Sequence, residues 1–95
     1  MTNNNSYYKL ASLFKVVAHP IRLCILTQLK DKELCVRELV SLLHYQQAAV
    51  SQHLSLLRKN NLVKTRRVGK KVYYSLLQEN AQLLKVISSL ERYNS

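Results

Sequence analysis

The sequence predicts a single, mostly helical domain with one small β-hairpin, in the order α-α-α-α-β-β-α. Apolar residues recur at helical spacing in stretches separated by polar or proline-containing breaks. The only glycine, Gly69, lies between two β-prone runs in LVKTRRVGKKVYYSL (62–76). The length, 95 residues of which 47% are hydrophobic, allows one core and not two. A chain this small buries only roughly 60–65% of the surface its unfolded form exposes, so a partner subunit would add stability.

Residues 1–6 carry no charge, lead into no signal-peptide core and are expected to be a disordered end. A first helix is read from Tyr7 to Ala18 on the spacing of Leu10, Leu13, Phe14 and Val17. His19-Pro20 ends it, because proline disfavours helix at the residue before it and fits the first turn of the next. Ile21, Ile25, Leu26 and Leu29 line one face of a second helix that ends near Lys30 at the polar turn Asp31-Lys32. Val36, Leu39, Val40 and Leu43 give a short third helix with Glu38 in its first turn. His44-Tyr45-Gln46 connects it to a fourth helix, 47–60, with Val50, Leu54 and Leu57 inward. Asn60-Asn61 suits its end, since asparagine tolerates the left-handed conformation. After the hairpin, a last helix from about Glu79 to Tyr93 places Leu83, Leu84, Ile87 and Leu90 on one side.

The formal net charge is +10, and its placement is informative. No Asp or Glu occurs from Leu39 to Gln78, a window that holds Arg58, Lys59, Lys64, Arg66, Arg67, Lys70 and Lys71. A solvated lysine-rich surface can carry such a charge. A basic face without opposite-sign relief is nevertheless what a polyanion partner selects, because each neutralised phosphate releases counterions. No fully apolar run exceeds four residues, against ~20 for a membrane helix. No membrane partner is expected, and the chain is placed in the cytoplasm. Cys24 and Cys35 are too few for a disulfide framework.

Two short helices joined by a tight turn, then a basic hairpin, describe a winged helix-turn-helix. The second helix of such a pair must be polar on its outer face to enter a major groove. Here that stretch supplies Gln46, Gln47, Ala48, Ala49, Ser51, Gln52, His53 and Ser55. Glutamine pairs bidentately with adenine, serine serves bases or phosphates, and alanine touches a thymine methyl. The hairpin offers Arg66, Arg67, Lys70 and Lys71 around Gly69, where long cations reach phosphates or a minor groove.

From about Leu13 to Leu76 the chain resembles the ArsR/SmtB family of bacterial winged-helix repressors. The segments that carry the likeness are HPIRLCIL (19–26), ELCVREL (33–39), QQAAVSQHLSLLRKNNLV (46–63) and RRVGKKVYYSL (66–76). The resemblance implies a homodimer assembled through the first and last helices, recognition helices in successive major grooves of an inverted-repeat operator, and repression relieved by an inducer. The spare apolar residues Leu10, Leu13, Phe14, Val17, Leu83, Leu84, Ile87 and Leu90 fit such an interface independently.

Family members that sense thiophilic metals carry a second cysteine in the third-helix motif. Here Cys35 is followed by Val36 and Arg37, with no second thiol. The Asp and His pairs that zinc sensors carry along the last helix are missing from 79–95. His19 stands where the family has an aspartate helix cap. No metal and no cofactor are therefore expected. Cys35 falls at the N-cap of the third helix, a position that favours the thiolate, and is the candidate thiol sensor. Cys24 is expected to be a small buried hydrophobe.

The leading reading is thus a homodimeric, sequence-specific repressor that binds double-stranded DNA. The alternatives are a thiol- or redox-responsive repressor acting through Cys35, and a winged-helix module that meets protein or RNA. An enzyme is not expected: there is no serine-histidine-acid set, phosphate loop or carboxylate pair, and acidic residues number only five.

Overall fold

Pro20 sets the first corner of the chain. The computed structural model describes residues 4–94, with side chains for 6–80, 82, 83 and 85–90. Helix α1 (Asn4–Val17) and helix α2 (Pro20–Gln28) meet at 91° across His19, which is extended as a residue before proline must be. The His19 side chain caps α2, its Nδ1 accepting the Ile21 N–H at 3.1 Å. Helix α1 begins within the stretch 1–6 that the sequence predicts to be disordered. Asn4–Ser6 form the first turn of α1, because no proline or glycine interrupts the stretch and Asn and Ser cost only moderate helix propensity. Residues 1–3 lie outside the described ones.

A two-residue strand, β1 (Leu34–Cys35), precedes helix α3 (Val36–Leu43). Sequence reading misses β1, since two residues carry no alternation, and its partner is remote: Leu34 pairs with Tyr74 and Cys35 with Tyr73. Cys35 is the N-cap of α3, and its N–H donates to the Glu38 carboxylate at 3.0 Å. That bond holds the Glu38 carboxyl below its ordinary pKa. α3 ends at His44 in the left-handed region, φ 53°.

Helix α4 (Gln47–Lys59) ends in a Schellman motif. The Asn61 N–H donates to Arg58 O and the Leu62 N–H to Leu57 O, both at 3.0 Å, with Asn61 at φ 58°. Leu57 and Leu62 are both buried, which gives the motif its apolar contact. Strands β2 (Val63–Val68) and β3 (Lys71–Leu76) pair antiparallel in the sheet order β1-β3-β2. Gly69 takes a positive φ of 61° and Lys70 does not, the pattern of a type II′ turn. A 3₁₀ turn (Gln78–Asn80) then leads into α5 (Ala81–Asn94).

The core joins α2, α3, α4 and the base of the sheet through Ile25, Leu26, Leu29, Leu39, Val50, Leu54, Leu57, Leu62 and Val63. Val17 of α1 and Leu83 and Ile87 of α5 close it from the side. Among the described residues, no single helix is long and apolar enough to cross a membrane.

Candidate nucleic-acid interface

The inner face of α4 determines its outer one. Val50, Leu54 and Leu57 are 0% exposed, so the helix cannot roll without opening the core. Gln47, Ala48, Ser51, Gln52 and Ser55 are consequently exposed, as is the N-cap Gln46, while Ala49 is half-buried. His53 differs from the rest of the expected set. It is half-buried, and its Nδ1 accepts from Arg22 Nε at 3.2 Å. Its ring lies 4.4 Å from that of His19 and 6.5 Å from that of Tyr45. The His53 side chain therefore engages α2 and the α3–α4 turn. Burial, followed by the charges of His19 and Arg22, pushes its pKa below the ordinary imidazole value.

In the wing, Arg67, Lys70 and Lys71 are exposed on the distal half of the hairpin. Arg66 is exposed too, but it is paired. Its Nη2 lies 2.8 Å from Glu33 Oε1, its Nε donates to both carboxylate oxygens, and its guanidinium sits 5.6 Å over the Tyr73 ring. The hydrogen bond to Arg66 holds the Glu33 carboxyl below its usual range and raises Arg66 in turn. Sequence reasoning makes Arg66 one of four equivalent phosphate cations, and the structure sets it apart. The sheet register brings β1 beside β3 opposite Tyr73, and with it Glu33, which no local signal connects to Arg66.

The expected dimer residues divide. Leu10, Phe14 and Leu90 are 47%, 46% and 50% exposed, and Leu13 is half-buried. Val17, Leu83 and Ile87 lie in the chain's own core, because α1 and α5 each pack on α2. The Leu84 side chain lies outside the described residues. Val86, at 45% exposed, and Tyr7 and Tyr8 extend the apolar surface beyond the residues that sequence reading singles out.

Cys24 departs from the small buried hydrophobe that the sequence leads us to expect. Cys24 is exposed and Cys35 buried. On α2 the core takes Ile25, Leu26 and Leu29, which leaves position 24 outward. Cys35 is covered because β1 joins the sheet. Among the described residues, no three His, Cys, Asp or Glu side chains come together as a metal site.

Residues 19–65 match the family described as "Bacterial regulatory protein, arsR family". Nearly the whole chain superimposes on a solved structure of HlyU from Vibrio cholerae. The TM-score is 0.83 and the identity 40%, over 94% of this chain and 97% of that one. The chain belongs to the ArsR/SmtB family. This ArsR/SmtB chain is also similar to the transcriptional repressor PagR of Bacillus anthracis, with TM-score 0.80 and 36% identity over 93% of this chain and 99% of that one. Among curated relatives, the transcriptional repressor SmtB homolog of Synechocystis is 41% identical over 76 residues, 80% of this chain and 58% of the relative. The transcriptional activator HlyU of Vibrio cholerae is 47% identical over 68 residues, 72% of this chain and 63% of the relative. The chain thus spans about three fifths of the length of these two curated relatives. The family is one of regulatory proteins, not enzymes.

Proposed function

We propose that this ArsR/SmtB chain is a homodimeric transcriptional repressor that binds an inverted-repeat DNA site. α4 enters the major groove and the wing lies on flanking phosphates. The supporting observation is the outer face of α4. Gln47, Ala48, Ser51, Gln52 and Ser55 stand out from a helix locked by its buried side, next to a wing whose distal half presents the exposed cations Arg67, Lys70 and Lys71. A protein-docking version of this face would carry exposed apolar groups there. The relatives named as repressors add to the reading. The two copies are proposed to meet through the exposed apolar residues of α1 and α5, Leu10, Phe14, Val86 and Leu90. Twofold symmetry then sets the recognition helices about one DNA turn apart, ~34 Å. The site of action is the cytoplasm, where the operator is reached.

The test is selection of bound duplexes from a random pool, with the stoichiometry of the complex measured by light scattering. An imperfect palindrome bound by two chains is expected. Sites without dyad symmetry, or preference for single-stranded RNA in the same competition, would overturn the reading.

A further inference from the structure

The His19–Arg22–His53 cluster ties three helices together. Arg22 Nη1 donates to Val16 O, in the last turn of α1, at 2.6 Å. Its Nε donates to His53 Nδ1 on α4 at 3.2 Å. We propose that Arg22 and His53 form a proton-sensitive brace that positions the recognition helix, so that DNA affinity falls when His53 takes up a proton. The proposal rests on the DNA-binding reading above.

The chemistry follows from donor and acceptor counts. A guanidinium only donates, and an imidazole nitrogen that accepts carries no proton. In the brace, His53 is therefore neutral, with its proton on Nε2. Protonation at Nδ1 turns both facing atoms into donors, breaks the bond and sets a cation against the permanently charged Arg22. The groups facing His53 are His19 at the α1–α2 corner, Arg22 on α2 and Tyr45 in the α3–α4 turn; the two charged or chargeable bases repel the added proton. His19 cannot relieve it by accepting through Nδ1, which already takes the Ile21 N–H. The depressed pKa of His53 agrees with this geometry. Because the braced state binds fewer protons, its advantage is fully present above the ordinary histidine value of about 6.5 and is lost as pH falls through the depressed one.

The sign separates this role from direct contact: a protonated histidine on a phosphate would strengthen binding on acidification. Two variants carry the test. His53→Asn keeps an acceptor near the Nδ1 position without a titrating group. Arg22→Lys keeps the charge but loses the planar fork that spans Val16 and His53. Long-range proton–nitrogen spectra of the free wild-type protein should show an unprotonated His53 Nδ1 at neutral pH and a titration midpoint below the ordinary value, moved upward in Arg22→Lys. Affinity of the wild type for its selected duplex should fall roughly three- to tenfold between about pH 7.5 and 5.5. His53→Asn should be flat over that range, and Arg22→Lys weak and flat. A rise in wild-type affinity on acidification, or equal pH slopes for wild type and His53→Asn, overturns the brace alone. Absence of duplex binding at neutral pH, with the His53 midpoint still depressed, overturns the DNA reading and the brace's role in it.

Discussion

α4 and the wing are adjacent in sequence and opposite in construction. α4 is held on one side by Val50, Leu54 and Leu57, at its end by a Schellman motif, and from α2 by Arg22 through His53. From Arg66 to Lys71 every residue of the wing is exposed, and the segment is held by the β2–β3 ladder and the Glu33–Arg66 pair. A surface that reads base edges must hold its donors to a fraction of an ångström, and burial of the opposite face provides that rigidity. A surface that meets phosphates works through charge, which tolerates displacement on the scale of the Debye length, roughly 8–10 Å. The same chain can therefore place its sequence reader on the core and its electrostatic arm in solvent.

The largest effect is expected at the foundation of α4. Leu54→Ala removes a side chain that is 0% exposed and should cost about 2–5 kcal/mol in denaturant unfolding. Lys70→Ala, at the wing tip, should leave unfolding unchanged; equal losses at both positions would erase the contrast.

On the reading face, Gln47→Ala or Gln52→Ala should relax preference at one base pair by about 1–3 kcal/mol while leaving non-specific binding intact. Uniform weakening across a randomised library would show that these amides do not read bases. Arg67, Lys70 and Lys71 should behave in the opposite way. Each alanine substitution is expected to weaken binding to all duplexes alike and to lower the salt slope by about one unit for every phosphate no longer neutralised.

Glu33→Gln sharpens the comparison within the wing. Exposed ion pairs add little stability, so unfolding should barely change. Arg66 is then free to meet phosphate, and binding should tighten a few-fold with a steeper salt dependence. Unaltered salt dependence would mean that Arg66 does not reach DNA even when released.

The smallest effect concerns access. A maleimide should label Cys24 well before Cys35 in the native protein, with equal rates in denaturant, because only the first thiol is exposed. Faster labelling of Cys35 would favour it as the thiol sensor despite its burial.

Much of this is legible from residue order. The helices from α2 to α4 and the hairpin begin and end within a residue or two of their expected bounds. Their signals are local: Pro20 and His19 at one corner, three-and-four spacing within helices, Asn61 and Gly69 where φ must be positive. Periodicity alone assigns Val50, Leu54 and Leu57 inward, and all three are fully buried. Exposure of Gln47, Ser51, Gln52 and Ser55 follows from the same periodicity.

What tertiary structure alone decides is the pairing of residues far apart in the chain. Val17, Leu83 and Ile87 look interchangeable with Leu10, Phe14 and Leu90 in an apolar pattern, and only the packing of α1 and α5 on α2 separates core from surface. β1 exists because β3 lies beside it, and that pairing buries Cys35 and brings Glu33 to Arg66. His53 belongs to a motif that reads as groove-facing, but Arg22, 31 positions earlier, draws it into the helix junction by donating to its ring. Periodicity records which residues share a face of one element; it carries no information on which other element that face will meet. Burial, charge pairing and protonation depend on that second fact, which the fold supplies.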